Sequence, residues 1–466
     1  MPNVYDKPFK TVSEQIALLR SYGMDIPDDD KATALLESVG YYRLSGYWWP
    51  FRQIDTNSSP SKELRLSTFL PNTSLDQIEK IYKFDRGLRV RVFEAIERVE
   101  VAMRFRIGHL LGQSHPFAHH NPQALNPGFT KITDPAHPLR HSEWLLSDHV
   151  EFLGTVRKLE ARSNEGFVKH FKDGYSHDSL PTWVVTEILT MGALGTLFEG
   201  LPQPLKVHIA EEFGLVRKDH SGDESALQSL LLNLGFVRNT CAHHARLWNK
   251  NITRKIGLPH HIVDLNHITK TPNAHTRIYA TLAALAFLLP RINQDDGWRV
   301  DMREYVRRAV NDINQSASLM GFPADWEQQE IWQDLYAPSD PMPKEHRALR
   351  RSFKSLTPAV AAAYLFPAEQ GIGSKKMRTL RQSGSIFGLN IGGTFEYPDF
   401  QVDRDNNRVY PLVEAANKRL EANAKPWEAA KWWSNSLSWS TGDTMSPVLF
   451  HSKGLMSQKL LDEVLP

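Results

Sequence analysis

Asn233-Leu-Gly-Phe-Val-Arg-Asn-Thr-Cys-Ala-His-His-Ala-Arg-Leu-Trp-Asn249 gathers two histidines, two arginines and the only cysteine of the chain into one stretch. The spacing predicts a helix over 224–247, in which Arg238, Asn239, His243, His244 and Arg246 stand where an amphipathic helix would alternate with aliphatics. Arg238 with His243 five residues on pairs a guanidinium with an imidazole, residue types suited to holding a phosphate and to moving a proton. On an ideal helix that offset turns the two side chains about 140° apart, so both cannot point into one groove of their own helix. A cleft between two such helices, each giving an Arg and a His, solves the geometry. One chain then carries half a site.

The neighbouring sequence predicts a helical setting. Thr11-Val-Ser-Glu14 is a capping box, a short helix follows over 31–39, and Ser74 caps a long helix to about Leu111. Ile78, Ile81, Leu88, Val92, Ile96, Val99, Met103, Ile107 and Leu110 recur on that helix at steps of three and four. Its other faces are charged, and Glu100 with Arg104 at i, i+4 forms an ion pair or lines a cleft. Further helices are expected over 147–163, 181–199, 204–214, 275–289 and 301–320, with an irregular insertion over 112–146. No strand-like alternation precedes residue 380, so the first 335 residues read as all-α. Gly40-Tyr-Tyr-Arg-Leu-Ser-Gly-Tyr-Trp-Trp-Pro-Phe-Arg52 is either a core-packing corner or a base-stacking surface, with Tyr41 on bases and Arg43 and Arg52 on phosphates.

Tyr336-Ala-Pro-Ser-Asp-Pro-Met-Pro343 opens a linker over 336–354 by composition. Beyond it, helices at 357–365, 374–382, 411–423 and 427–434 and a hairpin turning on Gly392-Gly393 predict a smaller α+β domain. The fold class is therefore mainly α, with that domain over 355–466.

Bulk properties narrow the function classes. The 466 residues are 41% hydrophobic and 23% charged, as in a soluble globular protein of two or three domains. A net charge of +2 leaves any nucleic-acid footprint local. One cysteine excludes an internal disulfide and a cysteine-based zinc site. His115, His119, His120, His137 and His141 lack acidic neighbours and helical spacing, so no metal and no cofactor is expected. The longest apolar run, Ile278 to Leu289, is too short to span a bilayer, and Met1-Pro-Asn-Val-Tyr-Asp-Lys7 holds no apolar leader core. A cytoplasmic location without membrane contact is the expectation.

The central residues suit RNA cleavage without a metal. That reaction needs a base for the 2′-OH proton, an acid for the leaving 5′-oxygen and a cation for the phosphorane. Arg238 and His243 are the catalytic candidates, Asn239 and His244 the supporting ones, and Arg246 and Trp248 offer phosphate contact and stacking. Spacing alone is weak: 19 histidines in 466 residues place one at a given offset from an arginine about 4% of the time. Several dozen arginines then give an accidental hit, and Arg104 with His109 shares the spacing. The competing reading is a polar helix end with its imidazoles satisfied by backbone carbonyls.

Arg238-Asn-x-x-x-His-His-x-Arg-Leu-Trp-Asn249 resembles the signature of the AbiD/AbiF-like abortive-infection proteins of bacteria, members of the HEPN superfamily of helical RNases. Thr11 to Phe51, Tyr82-Lys-Phe-Asp-Arg86 through Arg104, and Leu180 to Gly192 are similar to further blocks of that family, so the resemblance covers roughly residues 5–320. It implies a HEPN-type helical bundle over 1–335 and a phage-defence endoribonuclease that cuts RNA at a homodimer cleft. Arg238 and His243 become its catalytic pair, with Glu100 and Arg104 supporting. Phe395 to Asp403, Pro426 to Trp433 and Gly454 to Val464 resemble the toxin-binding domain of Xre/MbcA/ParS-type antitoxins. That second resemblance implies internal control of the RNase, or a toxin or antitoxin partner. An inert RNA-binding or regulatory protein is the alternative.

Overall fold

Caps written in the sequence set where the helices begin. Thr11 accepts the Glu14 N–H at 3.3 Å and the Glu14 carboxylate accepts the Thr11 N–H at 2.7 Å, which opens α1 (Val12–Ser21). Asp28 caps α2 (Asp29–Val39), and α3 (Tyr41–Trp48) follows across Gly40, whose φ of +89° only glycine adopts without strain. A short hairpin, β1 (Arg52–Ile54) with β2 (Arg65–Phe69), then leads to α4 (Leu75–Gly112), capped by Ser74.

The computed structural model describes residues 8–55, 64–131, 147–175, 179–218, 220–257, 262–292, 297–313, 317–336, 338, 343–367, 373–391 and 394–465. They form two units, Met1–Leu215 with Gly222–Pro338, and Val216–Ser221 with Ser339–Pro466. His137, His141, Gly392, Gly393 and the string Met1 to Lys7 lie outside the described residues.

The first unit is built on α4, about 57 Å long at 1.5 Å per residue. Its apolar row from Ile78 to Ile107 is buried, with Leu111 taking the last core position in place of the half-buried Leu110. The unit's other helices are α5 (Pro127–Thr130), α6 (Asp148–Arg162), α7 (Gly166–Gly174), α8 (Thr182–Ile188), α9 (Met191–Gly200), α10 (Gln203–Glu212), α11 (Glu224–Ala242), α12 (Asn266–Lys270), α13 (Ile278–Arg291) and α14 (Trp298–Ile313), of which α8 to α11, α13 and α14 pack on α4. Every residue of α13 from Ile278 to Leu289 is buried, so the longest apolar run of the sequence is a core helix. No described helix is long and apolar enough to cross a membrane. Gly108 and Gly112 let α8 lie against α4: a Cβ would fall 2.7 Å from Thr186 Oγ1 at the first and 2.9 Å from the Trp183 ring at the second.

Three expectations for this unit are corrected. The β1–β2 hairpin breaks the all-α pattern; β2 shows no alternation because three of its five residues are exposed. The helix expected over 181–199 is two, because Leu189 and Thr190 are extended and Thr190 caps α9. The helix expected over 224–247 ends at Ala242. Within the insertion, His119 is buried against Thr182, and its carbonyl accepts from His149 at 2.8 Å. Burial pushes His119 down to about 3.

The second unit begins earlier than its composition suggests. Lys344–Arg351, inside the expected linker, is a helix (α15) whose Leu349, with the following Phe353, is buried in that unit's core. Tyr336 at the linker's other end bonds Asp264 at 2.7 Å and belongs to the first unit. After β3 (Ser355–Leu356) come α16 (Pro358–Leu365), α17 (Gly373–Gln382), β4 (Leu389–Ile391) and β5 (Thr394–Pro398). The sheet order is β3-β5-β4, antiparallel throughout, with Ile391 opposite Thr394. β6 (Val402–Asp403) and β7 (Arg408–Val409) form a small hairpin, followed by α18 (Pro411–Arg419) and α19 (Pro426–Ser434). β8 (Leu437–Ser438), β9 (Thr444–Met445), α20 (Pro447–Ser452) and α21 (Gln458–Val464) complete the α+β domain. A buried amide chain locks it: Gln401 Nε2 donates to the Phe387 carbonyl, Asn417 Nδ2 to Gln401 Oε1, and Trp433 Nε1 to Asn417 Oδ1, at 2.9–3.0 Å.

Candidate active site at the end of α11

The end of α11 is a Schellman turn built on an unusual residue. The His244 N–H donates to the Cys241 carbonyl at 3.0 Å and the Ala245 N–H to the Thr240 carbonyl at 3.0 Å. This geometry places His244 in the left-handed region, at φ +54°. Glycine is the usual occupant there, because a Cβ crowds the following carbonyl. A histidine therefore sits where the backbone would favour glycine.

Tethers from α3 and α4 hold the turn. Arg43 Nη1 donates to the His244 carbonyl at 2.6 Å, and Arg246 Nη1 donates to the Gly46 carbonyl. Asp85 Oδ1 accepts the Leu247 N–H at 3.0 Å and the Trp248 N–H at 2.7 Å. Its Oδ2 accepts from the Tyr47 hydroxyl at 2.6 Å and from the Arg89 guanidinium. Asp85 is fully buried, and burial pushes its pKa up while Arg89 and these donors favour the ionised form. Breaking such a pair by removing one partner costs about 3–5 kcal/mol.

The side chains so presented face outward. His243, His244 and Asn239 are exposed, and neither imidazole nor the Asn239 amide hydrogen-bonds any described residue. The carbonyl-satisfied alternative therefore does not hold for these rings. Arg238 is half-buried, its guanidinium 5.4 Å from the Phe93 ring centroid on α4, with no hydrogen bond to a described residue. Arg238, Asn239, His243 and His244 thus share one end of α11, with no side-chain hydrogen bond to a described residue.

Other expected site residues are spent on structure. Trp248 is 1% exposed and cannot stack on a base. Arg246 holds Gly46, and burial lowers its pKa from the ordinary guanidinium value. Tyr41 is half-buried, edge-on to Trp48 at 5.0 Å, and Arg43 is the tether of His244. The aromatic block is thus a core corner, with Tyr42 and Trp49 left outside. Arg104 reaches the Glu187 and Leu189 carbonyls and pairs with Glu100 at 2.5 Å, holding the break between α8 and α9. His109 instead stacks on Phe105 and contacts Gln113, so the Arg104/His109 spacing is structural. Burial pushes the Cys241 thiol up to about 12, which leaves no thiolate near neutral pH. Among the described residues, no group of three His, Cys, Asp or Glu side chains is placed to hold a metal.

The Tyr47–Asp85–Arg89 cluster went unnoticed in the sequence, although a signal was present. Asp85 and Arg89 fall between Ile81 and Val92 on the core-facing row of α4, where a charged pair at i, i+4 interrupts the apolar positions.

Residues 34–249 match the family of Abi-like proteins. The Abi-like region covers a little under half of the chain and takes in α3, Tyr47, Asp85, Arg89 and the histidine turn. It closes on Asn249, the residue that ends the motif string. No curated protein and no solved structure matches the chain.

Proposed function

We propose that the first unit is a metal-independent endoribonuclease of HEPN type that acts in bacterial abortive infection. The observation that carries this reading is the histidine turn: exposed imidazoles without a hydrogen-bond partner among the described residues, beside Arg238, on backbone tethered from two other helices. Preorganised groups of this kind are what phosphoryl chemistry at a 2′-OH demands. His243 is the acid–base group and Arg238 the phosphate cation. Asn239 and His244 orient substrate or add a second imidazole.

A second copy completes the cleft. Val90, Phe93, Val101 and Phe105 are exposed along one face of α4 with Glu94 and Glu97 among them, and Phe93 is the ring that carries Arg238. Two copies meeting there bring two Arg/His sets together, which answers the 140° offset on a single helix. The antitoxin-like second unit is assigned a controlling role, through its own RNase or through a toxin or antitoxin partner.

The test is RNA cleavage by purified wild type, Arg238→Ala and His243→Ala, with EDTA present. Wild type is expected to leave 2′,3′-cyclic phosphate ends, and each variant to keep its melting profile and lose cleavage. Undiminished cutting by the double variant sinks the assignment. RNA that is bound by wild type but never cut, across several substrates, replaces it with the inert RNA-binding reading.

A further inference from the structure

A cavity of about 920 Å³ lies beyond the motif in the first unit, between α12, the residues following it and the 318–329 segment. Its walls include Asn249, Val263, His267, Lys270, Arg277 and Asp325. The volume falls in the range of small-molecule sites, about 300–1,000 Å³.

Neither cation of this cavity is ion-paired among the described residues, although the Asp325 carboxylate shares its wall. Lys270 and the half-buried Arg277 have no carboxylate within ion-pair distance among the described residues. Among the described residues Arg277 donates only to the Asn249 carbonyl, at 2.6 Å, which leaves most of its fork open. The Asp325 carboxylate takes Gln329 Nε2 at 2.7 Å instead of either cation. A half-buried guanidinium without a counterion carries a desolvation cost that an anion would offset.

Two further lining atoms are unsatisfied. Asn249 Oδ1 and His267 Nε2 are buried without a hydrogen-bond partner, the state expected of a polar site built for a guest or a water. Burial lowers His267 to about 4, so its ring is neutral near neutral pH. Val263, 73% exposed, and the half-buried Leu319 add apolar wall beside these polar groups. Two cations, unpaired amide and imidazole atoms and apolar wall together suit a phosphate joined to a planar, polar-edged body.

We infer that this cavity binds a free mononucleotide, its phosphate on Arg277 and Lys270. The inference is independent of the RNase reading and concerns different side chains. Occupancy would be felt at the motif, because Arg277 grips the backbone of Asn249.

Isothermal titration of the full-length protein with AMP, GMP, CMP and UMP tests it, with inorganic phosphate and the four nucleosides as separate arms. At least one mononucleotide is expected to bind saturably, more tightly than phosphate or its own nucleoside. Lys270→Ala, an exposed change, should weaken binding about tenfold, as for one charge-assisted contact. Ala324→Trp, at the exposed rim, should abolish it at an unchanged melting temperature. No binding at millimolar nucleotide overturns the inference, as does binding that both variants leave intact or phosphate that binds as tightly as the nucleotides. Binding lost in His243→Ala also overturns it, since the nucleotide would then sit at the histidine turn. Binding retained in His243→Ala while RNA cleavage is lost supports it and keeps the two sites distinct.

Discussion

His244→Gly is expected to stabilise the first unit while slowing RNA cleavage. At φ +54° the native residue carries the left-handed penalty of an L-amino acid, about 1–2 kcal/mol. Glycine removes that penalty but gives the unfolded chain extra freedom, which returns about 0.5–1 kcal/mol. The imidazole is exposed and makes no hydrogen bond to a described residue, so its removal subtracts little. The net gain is then ~0.5–1 kcal/mol. His244→Ala is the control: alanine keeps the Cβ and its strain, and should fall about 1 kcal/mol below the glycine variant. Urea unfolding followed by tryptophan fluorescence reads the difference, with slopes compared to confirm that only the midpoint moves. A glycine variant no more stable than the alanine one would refute the strain argument. A glycine variant that is more stable and cuts RNA at the wild-type rate would remove His244 from the proposed chemistry.

Other consequences are equally open to measurement. Asp85→Asn and Arg89→Met should each cost about 3–5 kcal/mol alone, with the double variant well short of their sum; additivity within 0.5 kcal/mol would mean the buried pair does not act as a unit. His119, buried and held near 3 against an unfolded value of 6.5, binds its proton more readily in the unfolded chain. Its stabilising share is therefore present above pH 6.5 and is lost as pH falls toward 3, on the order of 3–5 kcal/mol, and His119→Gln should flatten that loss in pH-dependent denaturation. Gly108→Val should push α8 from α4 and lower the melting temperature, whereas the same change at Gly154, which has nothing within 4 Å of its Cβ position, should cost much less.

Much of this architecture was legible because it rests on local rules. The Thr11/Glu14 box, the Ser74 cap, the apolar row of α4 and the pairing of β4 with β5 follow from spacing and sequence pattern. What escaped depends on partners far along the chain. Thr190 is a weak local sign of the break after Ile188, and what holds the Glu187 and Leu189 carbonyls there is Arg104 on another helix. Trp248 and Arg246 look like surface recognition residues in the string, yet Asp85 and Gly46 draw that segment inward. The end of α11 is hidden for a local reason. No glycine marks its C-cap, and a histidine stands in the position where glycine usually signals the stop.

The tethers of the histidine turn also bear on how the chain is made. Arg43 and His244 are 201 positions apart, and Asp85 and Leu247 are 162 apart. Closing loops of that length follows local helix formation and slows ordering. During synthesis Arg43 and Asp85 emerge long before the turn they hold, which acquires its shape only after residue 248 has left the ribosome. A chain stalled or cleaved before that point carries none of the ordered histidine pair. For a protein proposed to harm its own cell, any product that ends before residue 248 then lacks the harmful part, whatever α1 to α4 have already formed.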